Sequence, residues 1–299
     1  DLDFCQDKAD LLKQLEETNF LRLRDIKNAD KTYKLTLEEI QKLYIKWVST
    51  DEYLKLTNAE DLYFNKEVRH NKYIKLAKRG NDVYVWRAKK RIELLDIAFT
   101  KYEPERIGRK YIASNIIWFV LTFKRNDLRK DYQNARKYIN NFMKKLRRIN
   151  VGTRKKPSYP FRNAKIINRG CEAQNDGYIH INLTVFLGDN ISIIGKKYKT
   201  KKGEIRYIIE NEILRELFKN CWNYGFSDVS VFYNNDSEYF TKYISKSIKF
   251  DKEENKHILT LSLNFFFSKK SFYINYKLLE FLFNLYSRLD INDQMRSDS

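Results

Sequence analysis

Two short clusters in this sequence have the residue types and spacing to do chemistry. The first is Tyr239-Phe-Thr-Lys242-Tyr243-Ile-Ser-Lys246. At about 100° per residue, Tyr239, Lys242, Tyr243 and Lys246 share roughly a 100° arc of a helix. Phe240, Ile244 and Ile248 take a separate arc suited to packing. Two phenols and two ammonium groups therefore lie one turn apart on one face. A phenol, with an ordinary pKa of about 10, is mostly protonated at neutral pH. Neighbouring Lys charges favour the phenolate, and the pair then offers two nucleophiles for a phosphodiester. The chain is rich in Tyr and Lys, so this cluster alone could arise from composition.

The second cluster lies on an alternating segment. Tyr178, His180, Asn182, Thr184 and Phe186 interleave with Ile179, Ile181, Leu183, Val185 and Leu187. This is the period-two pattern of a strand with one aliphatic face, and His180 and Asn182 are neighbours on the other. Before it, Glu172-Ala-Gln-Asn-Asp-Gly177 reads as a hairpin connection. A three-residue loop with Gly177 in the left-handed position pairs Glu172 with His180 and Gln174 with Tyr178. An imidazole, a carboxylate and an amide oxygen can then converge on one ion. A two-residue Asp-Gly turn instead turns Glu172 and Gln174 away and puts Cys171 or Ala173 beside the histidine. The mixed nitrogen and oxygen set, without thiolate, fits Mg²⁺ or Mn²⁺ better than structural zinc. From this segment alone, His180 is equally well read as a half-buried strand histidine.

The surrounding pattern suggests how these groups are positioned. Ile116–Phe123 reads as a strand. A helix over Leu128–Ile149 follows, capped by Asp127, with Tyr132, Ala135, Ile139, Phe142, Met143 and Leu146 as its apolar face. Asn150–Pro160 is a loop, and a strand over Arg162–Gln174 has Gly170 as a candidate bulge. After the alternating strand come a basic loop, a helix over Ile205–Cys221, a strand over Ser227–Tyr233 and a helix over Asp236–Ile248. The order is strand, helix, strand, strand, helix, strand, helix. It implies an α+β fold: a split strand–helix–strand arrangement on an antiparallel sheet with helices on one side.

Residues 1–112 read as a mostly helical extension or accessory domain. Thr36 and Glu39 form a capping box for a helix through Trp47; further helical pieces fall within Leu54–Arg79, and Asp82–Arg87 reads as a short strand. Tyr102–Lys110, with Pro104 and Gly108, marks the boundary to a catalytic region over 113–250. Residues 251–299 form a packing extension and tail, with Phe272–Leu289 at helical spacing.

The net charge of +19 is concentrated: residues 121–170 carry sixteen Lys or Arg against two Asp, leaving +5 for all the rest. A general lysine bias does not leave one segment so poor in acids. Such a field suits a polyanion, with Arg147, Arg148, Arg154, Lys155 and Lys156 as phosphate contacts. Cys5, Cys171 and Cys221 are odd in number and lack ligand-like spacing, which argues for a reducing compartment. The apolar runs are too short to span a bilayer, the polar, acidic start does not read as a signal peptide, and the expected location is cytoplasmic. The oligomeric state is not legible.

Taken together, these features resemble the HUH endonuclease superfamily, in particular its two-tyrosine rolling-circle replication initiators from plasmids, bacteriophages and archaeal viruses. Ile117-Trp-Phe-Val-Leu-Thr-Phe123 is similar to the family's first motif, a hydrophobic strand ending in Thr. Gly177-Tyr-Ile-His-Ile-Asn182 is similar to its metal motif, and Tyr239-x-x-Lys242-Tyr243-x-x-Lys246 to its nucleophile motif. The resemblance spans Ile116 to about Phe250. Asn182 departs from it, standing where a second histidine is usual; an amide oxygen can still ligate a hard ion.

The resemblance implies an HUH, ferredoxin-like sheet and metal-dependent nicking of single-stranded DNA at a replication origin, in a hairpin or unwound duplex. Tyr239 and Tyr243 would be the nucleophiles, with Lys242 and Lys246 beside them, and Glu172, His180 and Asn182 would hold Mg²⁺ or Mn²⁺. The product is a 5′-phosphotyrosine and a free 3′-hydroxyl that a host polymerase can extend. No Gly-rich Lys-Ser/Thr nucleotide loop is present in the sequence, so extensive unwinding requires a separate helicase. A relaxase or a single-strand transposase shares this chemistry. A non-catalytic basic DNA-binding or virion protein is the reading from another class, and predicts DNA binding without strand scission or a need for divalent ions.

Overall fold

The computed structural model describes residues 7–59, 70–201, 203–233, 248, 250, 255–282 and 284. The fold is mixed α/β with a large antiparallel sheet. The chain forms two compact units, one of Asp1–Lys90 with Ile248–Lys269 and the other of Arg91–Ser247 with Lys270–Ser299. Among the described residues no helix is long and apolar enough to cross a membrane.

The first unit is built on helices α1 (Lys8–Glu17), α2 (Leu23–Tyr33) and α3 (Leu37–Ser49). Thr36 caps α3 as its spacing from Glu39 predicts: its hydroxyl accepts from the Glu39 N–H at 3.2 Å, and its own N–H donates to the Glu39 carboxylate at 2.7 Å. Helix α7 (Asn255–Phe266) joins the same core, where Leu15, Ile26, Leu43, Tyr44, Leu261 and Phe265 are buried together. The Trp47 and Phe265 rings stack with centroids 4.2 Å apart. At the C-terminal end of α3, the buried Lys78 ammonium donates to the carbonyls of Trp47 and Thr50 and pairs with Glu52 at 2.6 Å.

Two segments here differ from the sequence reading. Residues 53–59 and 70–75, expected to be helical, form the hairpin β1 (Tyr53–Ala59) and β2 (His70–Lys75). Tyr53, Leu54, Tyr73 and Ile74 are good strand formers, and cross-strand pairing outweighs the weak helical spacing. Asp82–Arg87, expected to be a strand, is the start of α4 (Asp82–Thr100), which Asn81 opens by accepting from the Tyr84 N–H at 3.0 Å.

The second unit contains nine strands among the described residues: β3 (Glu105–Ile107), β4 (Tyr111–Ser114), β5 (Ile116–Phe123), β6 (Lys165–Ala173), β7 (Ile179–Phe186), β8 (Ile193–Lys199), β9 (Ile205–Ile209), β10 (Gly225–Val231) and β11 (Phe272–Ile274). Their order across the sheet is β11-β6-β7-β5-β10-β9-β8-β4-β3, every pair antiparallel. Helix α5 (Leu128–Arg147) carries the chain from β5 past β7 to β6. After the β8–β9 hairpin, helix α6 (Glu212–Lys219) carries it to β10, on the other side of β5.

The apolar stripe of α5 is buried residue for residue as its spacing predicts, and Asp127 accepts from the Lys130 N–H at 3.0 Å. Phe142 of α5 and Phe218 of α6 meet Phe119 of β5 edge-on, at 5.0 and 5.9 Å. These two helices therefore cover the face carrying Phe119 and the aliphatic residues of β7. The other face is not left bare: at one end Phe281, in the helical residues 276–282, packs against Phe186 at 6.4 Å.

Further corrections follow from the strand pairing. The expected helix over Ile205–Cys221 begins only after β9, because Ile205–Ile209, with three Ile and a Tyr, favours a strand and pairs with β8, and Asn211 caps α6 by accepting from the Leu214 N–H. The basic segment after β7 is strand β8 rather than a loop. The irregularity in β6 lies between Ile166 and Asn168, not at Gly170. The compact units divide at Lys90 rather than within Tyr102–Lys110, since β3 and β4 add to the large sheet. Residues 251–299 are likewise divided: α7 belongs to the first unit, whereas β11 pairs with β6. The expected helix over Asp236–Ile248 lies outside the described residues, apart from Ile248 itself.

Gly225 opens β10 opposite Phe123 at the end of β5. A Cβ there would collide with the Thr122 carbonyl oxygen and lie 2.7 Å from the Lys124 nitrogen. Backbone cannot yield as a side-chain tip does, so Gly225→Ala should cost about 2 kcal/mol or more. A lower melting temperature with faster amide exchange along β10 is the expected result, and unchanged exchange there would contradict it.

Candidate metal site and basic surface

The turn between β6 and β7 resolves the alternative left open by the sequence. The Gln174 N–H donates to the Tyr178 carbonyl at 2.8 Å, and the Gly177 N–H donates to the Gln174 carbonyl at 2.8 Å. Gly177 has φ +84°, the left-handed region glycine enters without a steric penalty. Asn175, Asp176 and Gly177 thus form the three-residue loop. Asp176 also accepts from the Tyr178 N–H at 3.2 Å and pairs with Arg125 at 2.7 Å. From α5, the buried Tyr132 hydroxyl donates to the Gly177 carbonyl at 3.2 Å. Burial raises this phenol well above its ordinary pKa, so it remains a donor throughout the neutral range.

This turn fixes the register in which Glu172 faces His180. Across the sheet, Thr122 pairs with His180 and Phe226 with Thr122, so Glu172, His180, Thr122 and Phe226 form one row over four strands. The next row is Gly170, Asn182, Val120 and Asp228. Directly paired residues share a face with Cβ atoms about 5 Å apart, and His180 and Asn182 are separated by about 7 Å along β7. Glu172, His180 and Asn182 are therefore brought to one patch of one face. Glu172 and His180 are half-buried and Asn182 is buried, while Ile179, Ile181, Leu183 and Val185 are buried on the opposite face.

The donor set fits a hard divalent ion. It provides one carboxylate, one imidazole and one amide, and the adjoining row is polar as well: Asn168 faces Thr184, both fully buried. Among the described residues, neither amide atom of Asn168 nor the Thr184 hydroxyl has a hydrogen-bond partner. A hydrated ion that keeps part of its water shell suits such a floor better than a closed thiolate site. Among the described residues no group of three or more His, Cys, Asp or Glu is placed to hold a metal ion; with Glu172 and His180, Asn182 is the third donor that this patch offers. Two residues on this face escape the sequence reading: Phe226, 68% exposed at the end of the histidine row, and the exposed Asp228. Their placement depends on β10 pairing with β5, which no local pattern announces.

Tyr239, Lys242, Tyr243 and Lys246 lie outside the described residues. The basic residues are placed differently from the metal patch. Arg148, Arg154, Lys155 and Lys156 are exposed, the last three on a loop that Asn150 closes by accepting from the N–H groups of Gly152 and Ser158 at 2.9 and 2.8 Å. Arg147 is partly committed elsewhere, its Nε donating to the Ala164 carbonyl at 2.9 Å. This loop leads through a 3₁₀ turn (Pro160–Asn163) to Lys165, which pairs with Phe186. Phe186 is six residues from His180, about 20 Å along β7. The structure thus gathers Glu172, His180 and Asn182 at one end of the strand and the basic loop at the other.

Tyr132→Phe removes one hydrogen bond from the turn without changing the packing volume. It should cost about 1 kcal/mol and speed exchange of the Gly177 amide more than that of amides in β8; uniform exchange would show that Tyr132 does not hold the turn. Comparison with protein-family models, with curated proteins and with solved structures finds no match for this chain.

Proposed function

We propose that this chain is a metal-dependent, tyrosine-linked DNA nicking and joining enzyme of the HUH type, acting as a rolling-circle replication initiator on single-stranded origin DNA. The observation that carries the reading is the register that sets Glu172 against His180 with Asn182 alongside. The β10-β5-β7-β6 order supports it as well. With α5 and α6 as crossovers, that order is in keeping with the split, ferredoxin-like arrangement that the resemblance implies. The sequence supplies the nucleophiles, Tyr239 and Tyr243, with Lys242 and Lys246 on the same arc.

In this reading Glu172, His180 and Asn182 hold Mg²⁺ or Mn²⁺, which when bound polarises a phosphate oxygen. The tyrosine oxygen attacks the phosphorus as the phenol loses its proton, with Lys242 or Lys246 offsetting the charge. The bond from phosphorus to the 3′-oxygen breaks, and that oxygen takes up a proton. The products are a 5′-phosphotyrosine and a 3′-hydroxyl. The phosphodiester bond energy is kept, so the reverse attack reseals the strand without nucleotide hydrolysis. A second phenol on the same arc can accept the newly made strand while the first is occupied. Phe226, exposed in the same row as His180, offers a face on which an unpaired base can stack.

Incubation of native protein, Tyr239→Phe, Tyr243→Phe, the double variant and His180→Ala with labelled origin oligonucleotide and Mn²⁺ tests this. Covalent adducts are expected from native protein and in reduced amount from each single tyrosine variant, and none from the double variant. His180→Ala should bind DNA yet leave it uncut. Cutting by His180→Ala at the native rate would remove the metal assignment, and an adduct on the double variant the nucleophile assignment. Mapping the nick to a replication origin separates an initiator from a relaxase or transposase.

A further inference from the structure

A cavity of about 1070 Å³ lies in the second unit at the Phe186 end of β7. Its walls are the 3₁₀ turn with the residues before it, the turn 187–191 after β7, and residues 275–281. Phe186 and Lys165, a register pair, belong to its lining. Asn275 fixes the third wall: its N–H donates to the Ile167 carbonyl at 2.8 Å, and its side-chain amide donates to the Ile166 carbonyl. The cavity is thus framed by backbone hydrogen bonds rather than by side chains alone.

Its chemistry is of two kinds. Arg162, Lys165 and Lys277 are exposed cations in the lining, and none makes an ion pair with another described residue. Tyr159 and Phe281 add open aromatic surface, 46% and 45% exposed. Asp189 is the one acid among the described lining residues. The loop bearing Arg154, Lys155 and Lys156 runs directly into the first wall at Pro157. Cations that track a backbone, interleaved with aromatic faces, are the elements with which proteins hold unpaired nucleotides. A duplex keeps its base faces stacked and cannot offer them to Tyr159 or Phe281. The volume exceeds that usual for a single small ligand and suits a segment of an extended polymer.

We propose that this cavity is a second, non-scissile binding site for single-stranded nucleic acid, in which Arg162, Lys165 and Lys277 contact phosphates and Tyr159 and Phe281 stack on bases. That the polymer is DNA rests on the function proposed above; the fit to a single strand rests on the cavity itself. The site anchors the strand at the opposite end of β7 from His180. At about 3.4 Å per stacked nucleotide, the interval of about 20 Å corresponds to roughly six nucleotides. A strand must therefore exceed that length to engage both places.

The test is anisotropy of labelled oligothymidines, about 4 to about 16 nucleotides long, with full-length protein in EDTA so that cutting plays no part. The triple variant Arg162→Ala, Lys165→Ala, Lys277→Ala should bind roughly tenfold or more weakly and reduce the slope of log affinity against log salt by about 2. Tyr159→Ala, an exposed change that should leave the melting temperature unaltered, should lose about tenfold. Duplex DNA or polyglutamate displacing the oligonucleotide as well as unlabelled oligothymidine would overturn the proposal, because the cavity would then be a general polyanion site. So would inorganic phosphate competing equally, or native affinity in both variants. Absence of nicking with these affinity losses intact would remove the proposed function and leave this site standing; nicking with unaffected variants would do the reverse.

Discussion

The pairing register of β6 and β7 is the constraint on which the site depends. Side chains alternate faces along a strand, so a slip of one residue would turn Glu172 into the helix-covered face and bring an apolar neighbour beside His180. Three features oppose the slip. Gly177 takes the left-handed conformation that the three-residue loop requires, Tyr132 ties the turn to α5, and the aliphatic residues of β7 must remain beneath the helices. The last is the strongest against a slip taken up by β7 instead, which would turn Ile179, Ile181, Leu183 and Val185 outward together, each costing about 2 kcal/mol or more. A polar site is thus held in place chiefly by the apolar face on its reverse.

The same economy of structure shapes the rest of the sheet. Phe119 receives Phe142 and Phe218 on one side, while its neighbours in β5, Val120 and Thr122, belong to the rows that carry Asn182 and His180. Helix α5 serves both ends of this sheet: Tyr132 in its second turn braces the β6–β7 hairpin, and Arg147 in its last turn braces the chain before β6. The basic loop is held by backbone as well. At Gly152 a Cβ would strike the Lys156 carbonyl oxygen, so the glycine lets the loop close while Arg154, Lys155 and Lys156 face outward.

Where a single element carries its own signal, the sequence is legible. Helix α5, its Asp127 cap, the Thr36 capping box, the alternation of β7 and the Glu172–His180 pairing are all local patterns, and each appears as read. What escapes is decided by partners distant in sequence. The β1–β2 hairpin, the extension of the sheet by β8, β4 and β3, and the division of the last fifty residues between two units depend on pairing and burial that no local window contains. The candidate site follows the same rule. His180, Asn182 and Glu172 are neighbours through one hairpin and are legible, whereas Phe226 and Asp228 reach the same face only because β10 returns beside β5. The cationic residues are legible as charge, but their distance from His180 is a property of the fold.

The claim at the centre of this account is that Glu172, His180 and Asn182 hold one hard divalent ion. Pulsed electron paramagnetic resonance of Mn²⁺ bound to protein with isotopically labelled histidine reads this most directly. The account predicts a single tight Mn²⁺ site with hyperfine coupling to one imidazole nitrogen. That coupling should vanish in His180→Ala, and the affinity should fall in Glu172→Gln and Asn182→Leu. Mn²⁺ bound without nitrogen coupling, or bound unchanged by His180→Ala, would contradict it.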